Sequence, residues 1–137
     1  MRTFYIFKIN KEFITLTEKN PYTLYKTMES LYHLKNDDLD LGYSMFKEIT
    51  KTFDKNSLNE YFFKKYQDDE HYTKYSNRHM LNNFYTDEQS KLIINKTFLV
   101  LKTTKVKPTF FKDLKKENSL FVCDFKNKDY FWLKQVV

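Results

Sequence analysis

Side chains suited to catalysis or metal binding are sparse in this sequence. Cys123 is the only cysteine, and His33, His71 and His79 are the only histidines. A nucleophilic cysteine needs a nearby base and an accessible, electropositive setting. Cys123 instead follows the apolar residues 120–122, which predicts a small buried core residue. A single cysteine also excludes an internal disulfide and a multi-cysteine zinc site.

Two other groups of residues match a metal or acid–base site only in part. His71 and His79 could face each other across a hairpin beside the acidic run 68–70, a pattern that a solvated loop explains as well. Asp37, Asp38 and Asp40 lack the loop glycine and the ligand spacing of a calcium site. They match the start of a helix, where carboxylates suit the positive end of the dipole. We therefore expect no catalytic residues, no metal and no cofactor, and a protein that is not an enzyme.

The single glycine, Gly42, excludes a further class of function. A phosphate-binding P-loop and a dinucleotide-binding turn each need several glycines, because the backbone must approach the phosphates closely. The sequence has no such cluster, so nucleotide binding by either motif is excluded. Gly42 is expected to relieve packing within a helix.

The composition is unusual, and its origin must be considered before the net charge is taken as evidence of function. The 137 residues include 22 lysines, two arginines and no alanine, and the formal net charge is +6. Residues with A/T-rich codons are abundant and those with G/C-rich codons are scarce, which indicates an AT-rich gene. A lysine excess with this origin says little about nucleic-acid binding, and arginine, the preferred reader of phosphate and guanine, is nearly absent. No apolar run approaches the ~20 residues of a membrane-spanning helix, and no signal peptide is visible, so we expect a cytoplasmic protein.

The elements that must position any functional residue follow from the apolar spacing. Residues 3–9 read as a strand that is apolar on both faces, and therefore as a central strand. A short helix follows over 11–18, and Asn20-Pro21 predicts the start of a second. Further helices are predicted from Asn36-Asp37-Asp38, from the capping-box pattern Ser57-x-x-Glu60 and from Lys107-Pro108. The predicted later strands are 71–76, 80–85, a hairpin over 92–101, 120–125 and 130–133.

This order predicts one domain over residues 1–137. The fold class is α/β, on the border of α+β, with a mixed β-sheet flanked by helices and the N-terminal strand in a central position.

Two surfaces remain as candidates for binding. The helix 11–18 carries Phe13, Ile14, Leu16 and Thr17, more apolar groups than one short helix readily buries, and aromatic residues are common interface anchors. Lysines cluster at 64–65, at 102, 105 and 107, and at 112, 115 and 116. A solvated face explains these clusters, and a phosphate-binding patch is the alternative, in which case the protein is a small basic nucleic-acid-binding protein.

Two segments resemble the SirA family, the sporulation inhibitors of replication. The segment Phe4–Phe13 resembles the opening of that family, an aromatic strand that ends in a Lys-Glu-Phe helix start. The family's closing pair of strands is matched by Asp124-Phe125, Tyr130-Phe131-Trp132-Leu133 and Val136. The length and the order of elements also agree.

The resemblance implies an α/β fold without enzymatic activity and a cytoplasmic protein, monomeric or in a heterodimer with its partner. That partner would be the N-terminal domain of the replication initiator DnaA, whose occlusion blocks new rounds of replication during sporulation. No direct contact with nucleic acid or membrane is implied. The family's partner-contacting position falls on Phe13, with Leu16 beside it. One turn later Thr17 stands where the family tends to have an aromatic residue, and Glu48 of the third helix borders the same region.

Overall fold

The computed structural model describes residues 1–34, 39–117 and 119–136. Within them the chain forms one eight-stranded sheet with helices on both faces. The strands are β1 (Arg2–Ile9), β2 (Thr50–Lys51), β3 (Tyr72–Tyr75), β4 (Arg78–Asn83), β5 (Glu88–Ile94), β6 (Leu99–Thr103), β7 (Leu120–Asp124) and β8 (Asp129–Trp132). The helices are α1 (Lys11–Thr17), α2 (Pro21–Tyr32), α3 (Leu39–Ile49), α4 (Lys55–Tyr66) and α5 (Thr109–Leu114), and a 3₁₀ turn over Leu133–Gln135 follows β8.

The strand order across the sheet is β3-β4-β5-β6-β1-β7-β8. The short strand β2 lies off this path and pairs with Lys8 and Ile9 at the end of β1. The predicted α/β class and the central place of the N-terminal strand are confirmed. The expected mixture of strand directions is wrong, because every strand pair within the described residues is antiparallel. Strands β6 and β7 run in the same direction and are connected through α5, but β1 lies between them and pairs antiparallel with both, so no two hydrogen-bonded neighbours are parallel.

Strand β1 divides the core into two layers. Its side chains alternate, so Phe4 and Ile6 point to one face while Phe7 and Ile9 point to the other. Helices α4 and α5 cover the first face, and α1, α2 and α3 cover part of the second. Apolar side chains on both faces are the reason that this strand occupies an interior position.

The predicted helix starts are confirmed at two prolines. Helix α2 begins at Pro21, whose fixed φ suits a first helical position, and α5 begins directly after Pro108. The predicted start of α3 at Asn36-Asp37-Asp38 lies outside the described residues. Helix α4 begins at Lys55 rather than at Ser57, because the Asp54 side chain accepts the hydrogen bond from the Ser57 backbone N–H (3.2 Å) and caps the helix.

The predicted facing pair of histidines is also wrong. The register places Lys74, not His71, opposite His79. His79 is buried, with Nε2 2.7 Å from Asn59 Oδ1 and Nδ1 2.7 Å from the Tyr72 hydroxyl. With Asn59 Oδ1 as the acceptor, Nε2 donates and Nδ1 accepts from Tyr72, so the ring is held neutral. Burial lowers the pKa of His79 to about 4, with a smaller contribution from Lys74.

No helix in the described ranges combines the length and the apolar character that crossing a membrane requires.

Candidate partner-binding surface

Helix α1 is held in place by the residue that precedes it. Asn10 ends β1, and its backbone N–H donates to the carbonyl of Ile49 (2.7 Å). Its side-chain Nδ2 donates to the carbonyl of Glu48 (3.3 Å) instead of capping the helix. The start of α1 is therefore joined to the end of α3 by two hydrogen bonds, which place the two helix ends side by side.

The side chains of α1 divide into supporting and exposed groups. Phe13 and Ile14 are half-buried against the core layer that contains Phe7 and Trp132. Leu16 is 74% exposed, an unusual fraction for a leucine in an anchored helix. Because Phe13 and Leu16 are three residues apart, they are neighbours on the helix surface. Together they present an apolar surface to solvent.

Thr17 has a different position from the other predicted site residues. It is buried, and its hydroxyl donates to the carbonyl of Phe13. The residue therefore supports Phe13 from within the last turn of α1. A larger side chain could not take this place without displacing the helix from the core.

Glu48 lies on the exposed side of α3, at the point where Asn10 joins the two helices. Leu41 and Met45 are also exposed and precede Glu48 by seven and three residues, so the three share one side of α3. The sequence analysis did not name Leu41 or Met45 among the candidate binding residues. The spacing of Leu41, Met45 and Glu48 was the signal that could have indicated this second apolar surface.

A small apolar cavity of about 300 Å³ lies behind this region, between α2, α3 and the sheet. Its walls include Phe7, Met28, Tyr43, Phe46 and Phe98. No residue of this lining is charged, so the cavity has neither an acid–base pair nor ligands for a metal. It leaves α3 with fewer packing contacts than a filled interior would provide.

The remaining reactive side chains are placed as structural groups. Burial raises the pKa of the Cys123 thiol, which disfavours the nucleophilic thiolate, and the prediction of a buried cysteine is confirmed. In the described part of the chain, no group of three His, Cys, Asp or Glu side chains is positioned to hold a metal ion. What the described residues do offer at α1 and α3 is a set of exposed apolar side chains, Leu16, Leu41 and Met45, with the carboxylate of Glu48 at their border.

A comparison with known protein families finds a match over nearly the whole chain. The family model described as "Sporulation inhibitor of replication protein SirA" matches residues 2–137, which is essentially the whole chain. No match was found among curated proteins. The description of the family is that of a regulator of replication during sporulation, and the match includes both segments that carry the sequence resemblance. The chain therefore belongs to the SirA family.

Proposed function

We propose that this protein inhibits the initiation of DNA replication in the cytoplasm by binding the N-terminal domain of the initiator DnaA. It would act as a single domain that occludes a surface through which the initiator assembles, without catalysing a reaction. The family supports a role in replication and sporulation. The partner is our own extension of that role, based on the sequence resemblance.

The observation that supports this proposal is the exposure of Leu16 beside Phe13 on a helix anchored at Asn10. Burying an exposed leucine side chain removes apolar surface from water and favours association by about 1.5–3 kcal/mol. The rigid attachment of α1 reduces the entropy lost on binding. We propose that Phe13 and Leu16 contact the partner, that Glu48 forms the polar border, and that Thr17 keeps Phe13 in position.

The test is a calorimetric titration of the full chain against the DnaA N-terminal domain of the same organism. We expect a one-to-one complex for the wild type and a loss of affinity of at least tenfold for Leu16→Ala. Val106→Ala is the matched control, because Val106 is similarly exposed (75%) but lies in the loop before α5. Absence of binding by the wild-type chain would refute the proposed partner, and equal effects of the two variants would refute the proposed surface.

A further inference from the structure

One half of the sheet is uncovered on the face that carries α1, α2 and α3. Register partners share a face of a sheet, so the side chains on the Tyr5 side can be traced from strand to strand. In β3–β6 they are Thr73, Tyr75, Arg78, Met80, Asn82, Gln89, Lys91, Ile93, Val100 and Lys102. All except Val100 are at least partly exposed, and we name these ten residues the open face.

The helices leave the open face uncovered because they pack against the other half of the sheet. The core layer beneath α1, α2 and α3 contains buried residues from strands β1, β7 and β8. None of these three strands contributes a residue to the open face. The open face therefore has the shape of a shallow platform about four strands wide, or roughly 15 Å across.

Every charged side chain of the open face is a cation. Arg78, Lys91 and Lys102 lie on three adjacent strands, and Lys91 is the direct register partner of Lys102. Like charges in directly opposed positions destabilise a sheet. None of the three forms an ion pair within the described ranges, whereas Lys64 and Lys65 of α4 are paired with Glu60 and Asp113. The acidic residues closest in sequence to Lys91 are Glu88, whose side chain is buried on the other face of the sheet, and Asp87 in the β4–β5 turn.

A polar groove extends this cationic row toward α2. It has a volume of about 630 Å³ and shares Lys102 with the open face, while Arg2 and Lys126 add two further cations. Its one carboxylate, Asp124, already accepts hydrogen bonds from Arg2 (3.0 Å) and Asn127 (2.7 Å). The charge left in the groove is therefore positive.

Aromatic rings lie at both ends of the cationic row. In the groove the rings of Tyr32 and Phe125 are stacked, with centroids 4.6 Å apart, and the Tyr5 hydroxyl lies 3.3 Å from that of Tyr32. At the far end Tyr75 is 73% exposed and is the register partner of Arg78. Proteins that bind single-stranded nucleic acid combine cationic side chains, which contact the phosphate backbone, with aromatic rings on which the bases stack.

From this arrangement we infer that the open face and its groove bind single-stranded DNA. The phosphates contact Arg78, Lys91 and Lys102, and bases stack on Tyr75 and on the exposed ring of Tyr32 in the groove. A duplex keeps its bases stacked and unavailable to these rings, and a shallow platform offers no helix to enter the major groove. The family acts on replication, in which DNA strands are separated. This site is distinct from the α1 surface and does not depend on the partner proposed above.

The inference is tested by fluorescence anisotropy with labelled oligo(dT) over a salt series. Three phosphate contacts predict a slope of log K against log salt of about −2. The double variant Lys91→Gln/Lys102→Gln should bind about 25-fold more weakly at 0.1 M salt, with a slope of about −0.7. The matched control, Lys112→Gln/Lys115→Gln, removes the same charge from exposed positions at α5, on the opposite face of the sheet.

Further measurements test whether bases stack on Tyr75 and which kind of nucleic acid is bound. Tyr75→Ala should weaken binding about tenfold without changing the salt slope, and Tyr75→Phe should restore it. Phe13→Ala should bind oligo(dT) like the wild type. Undetectable binding by the wild type, equal losses in the open-face and control variants, or tighter binding of duplex DNA or of oligo(U) would each overturn the inference.

Discussion

Lys91 and Lys102 lie directly opposite each other on strands β5 and β6, with their side chains on the same uncovered face of the sheet. The two ammonium groups repel each other, and no carboxylate of the described residues forms an ion pair with either. The pair therefore lowers the stability of the free protein. Such a cost is expected where a sheet serves to hold an anion.

Replacing Lys91 with an acidic residue should raise the stability of the fold and weaken its binding to DNA. Lys91→Glu converts the repulsion into an attraction and should raise the free energy of unfolding by about 0.5–1 kcal/mol, or the melting temperature by a few degrees. The same change should abolish binding of oligo(dT). Thermal unfolding at low and high salt measures the first effect, which should shrink as salt screens the charges. A melting temperature lower than that of the wild type would contradict the assigned register.

The α1 surface should depend on Phe13 and Thr17 in different ways. Phe13→Ala removes an apolar contact and should weaken binding to the DnaA N-terminal domain at least tenfold. Thr17→Val keeps the shape of the side chain and removes only its hydrogen bond to the Phe13 carbonyl. We expect it to lower stability by about 1 kcal/mol and affinity by less than threefold. Calorimetric titration combined with urea unfolding distinguishes the two effects, and a larger affinity loss for Thr17→Val would show that the hydroxyl contacts the partner.

Glu48 should contribute mainly through its charge at the border of the surface. Glu48→Gln preserves the backbone carbonyl that accepts from Asn10, so the position of α1 is unchanged. The expected loss of affinity is about two- to fivefold and should decrease at high salt, as for other exposed charges at an interface. Glu12→Gln, a neutralised carboxylate in the first turn of α1, is the comparison. Identical salt responses of the two variants would assign the effect to net charge alone.

His79 should make the stability of the fold depend on pH. Its pKa is lowered to about 4 in the folded protein by burial, whereas an unfolded histidine titrates near 6.5. The unfolded chain therefore binds the extra proton first, and the contribution of His79 to stability is complete above about pH 6.5 and is lost as the pH falls toward 4. The slope should approach 1.4 kcal/mol per pH unit within that window.

The control for this prediction is His79→Gln, which cannot titrate. It should be less stable than the wild type at pH 7, because the hydrogen bonds with Asn59 and Tyr72 are disturbed. The difference between the two proteins should narrow between pH 6.5 and 4. A constant difference in urea unfolding across this range would exclude His79 as the source of the pH dependence.

Glu88 should act as a remote cap for α5. The helix starts after Pro108, which has no capping side chain, and the Glu88 carboxylate accepts from the Thr109 N–H (3.1 Å) and from the Ser90 hydroxyl (2.6 Å). Glu88→Gln replaces an acceptor by a donor in this buried site and should cost about 1–3 kcal/mol in chemical denaturation. The exposed neighbour Gln89→Ala should change stability by less than about 0.5 kcal/mol. Similar losses for both would contradict the capping role.

Local patterns were sufficient for much of the fold. The aromatic alternation of β1 and the prolines at 21 and 108 predicted elements that the structure confirms, because strand and helix preferences act over a few residues. The start of α4 was misplaced because Asp54 and Ser57 can both cap a helix, and the choice depends on the path of the preceding chain.

The candidate sites depended more strongly on tertiary structure. The residues alone were enough to predict a basic chain with few catalytic groups, a helix with surplus apolar residues around Phe13, and the resemblance to its family. Only the three-dimensional arrangement decided that Thr17 turns inward while Leu16 remains exposed. It also decided that Lys91 faces Lys102, because strand register brings together residues that are distant along the chain. The physical reason is that burial and charge proximity depend on packing and register, which sequence spacing does not specify.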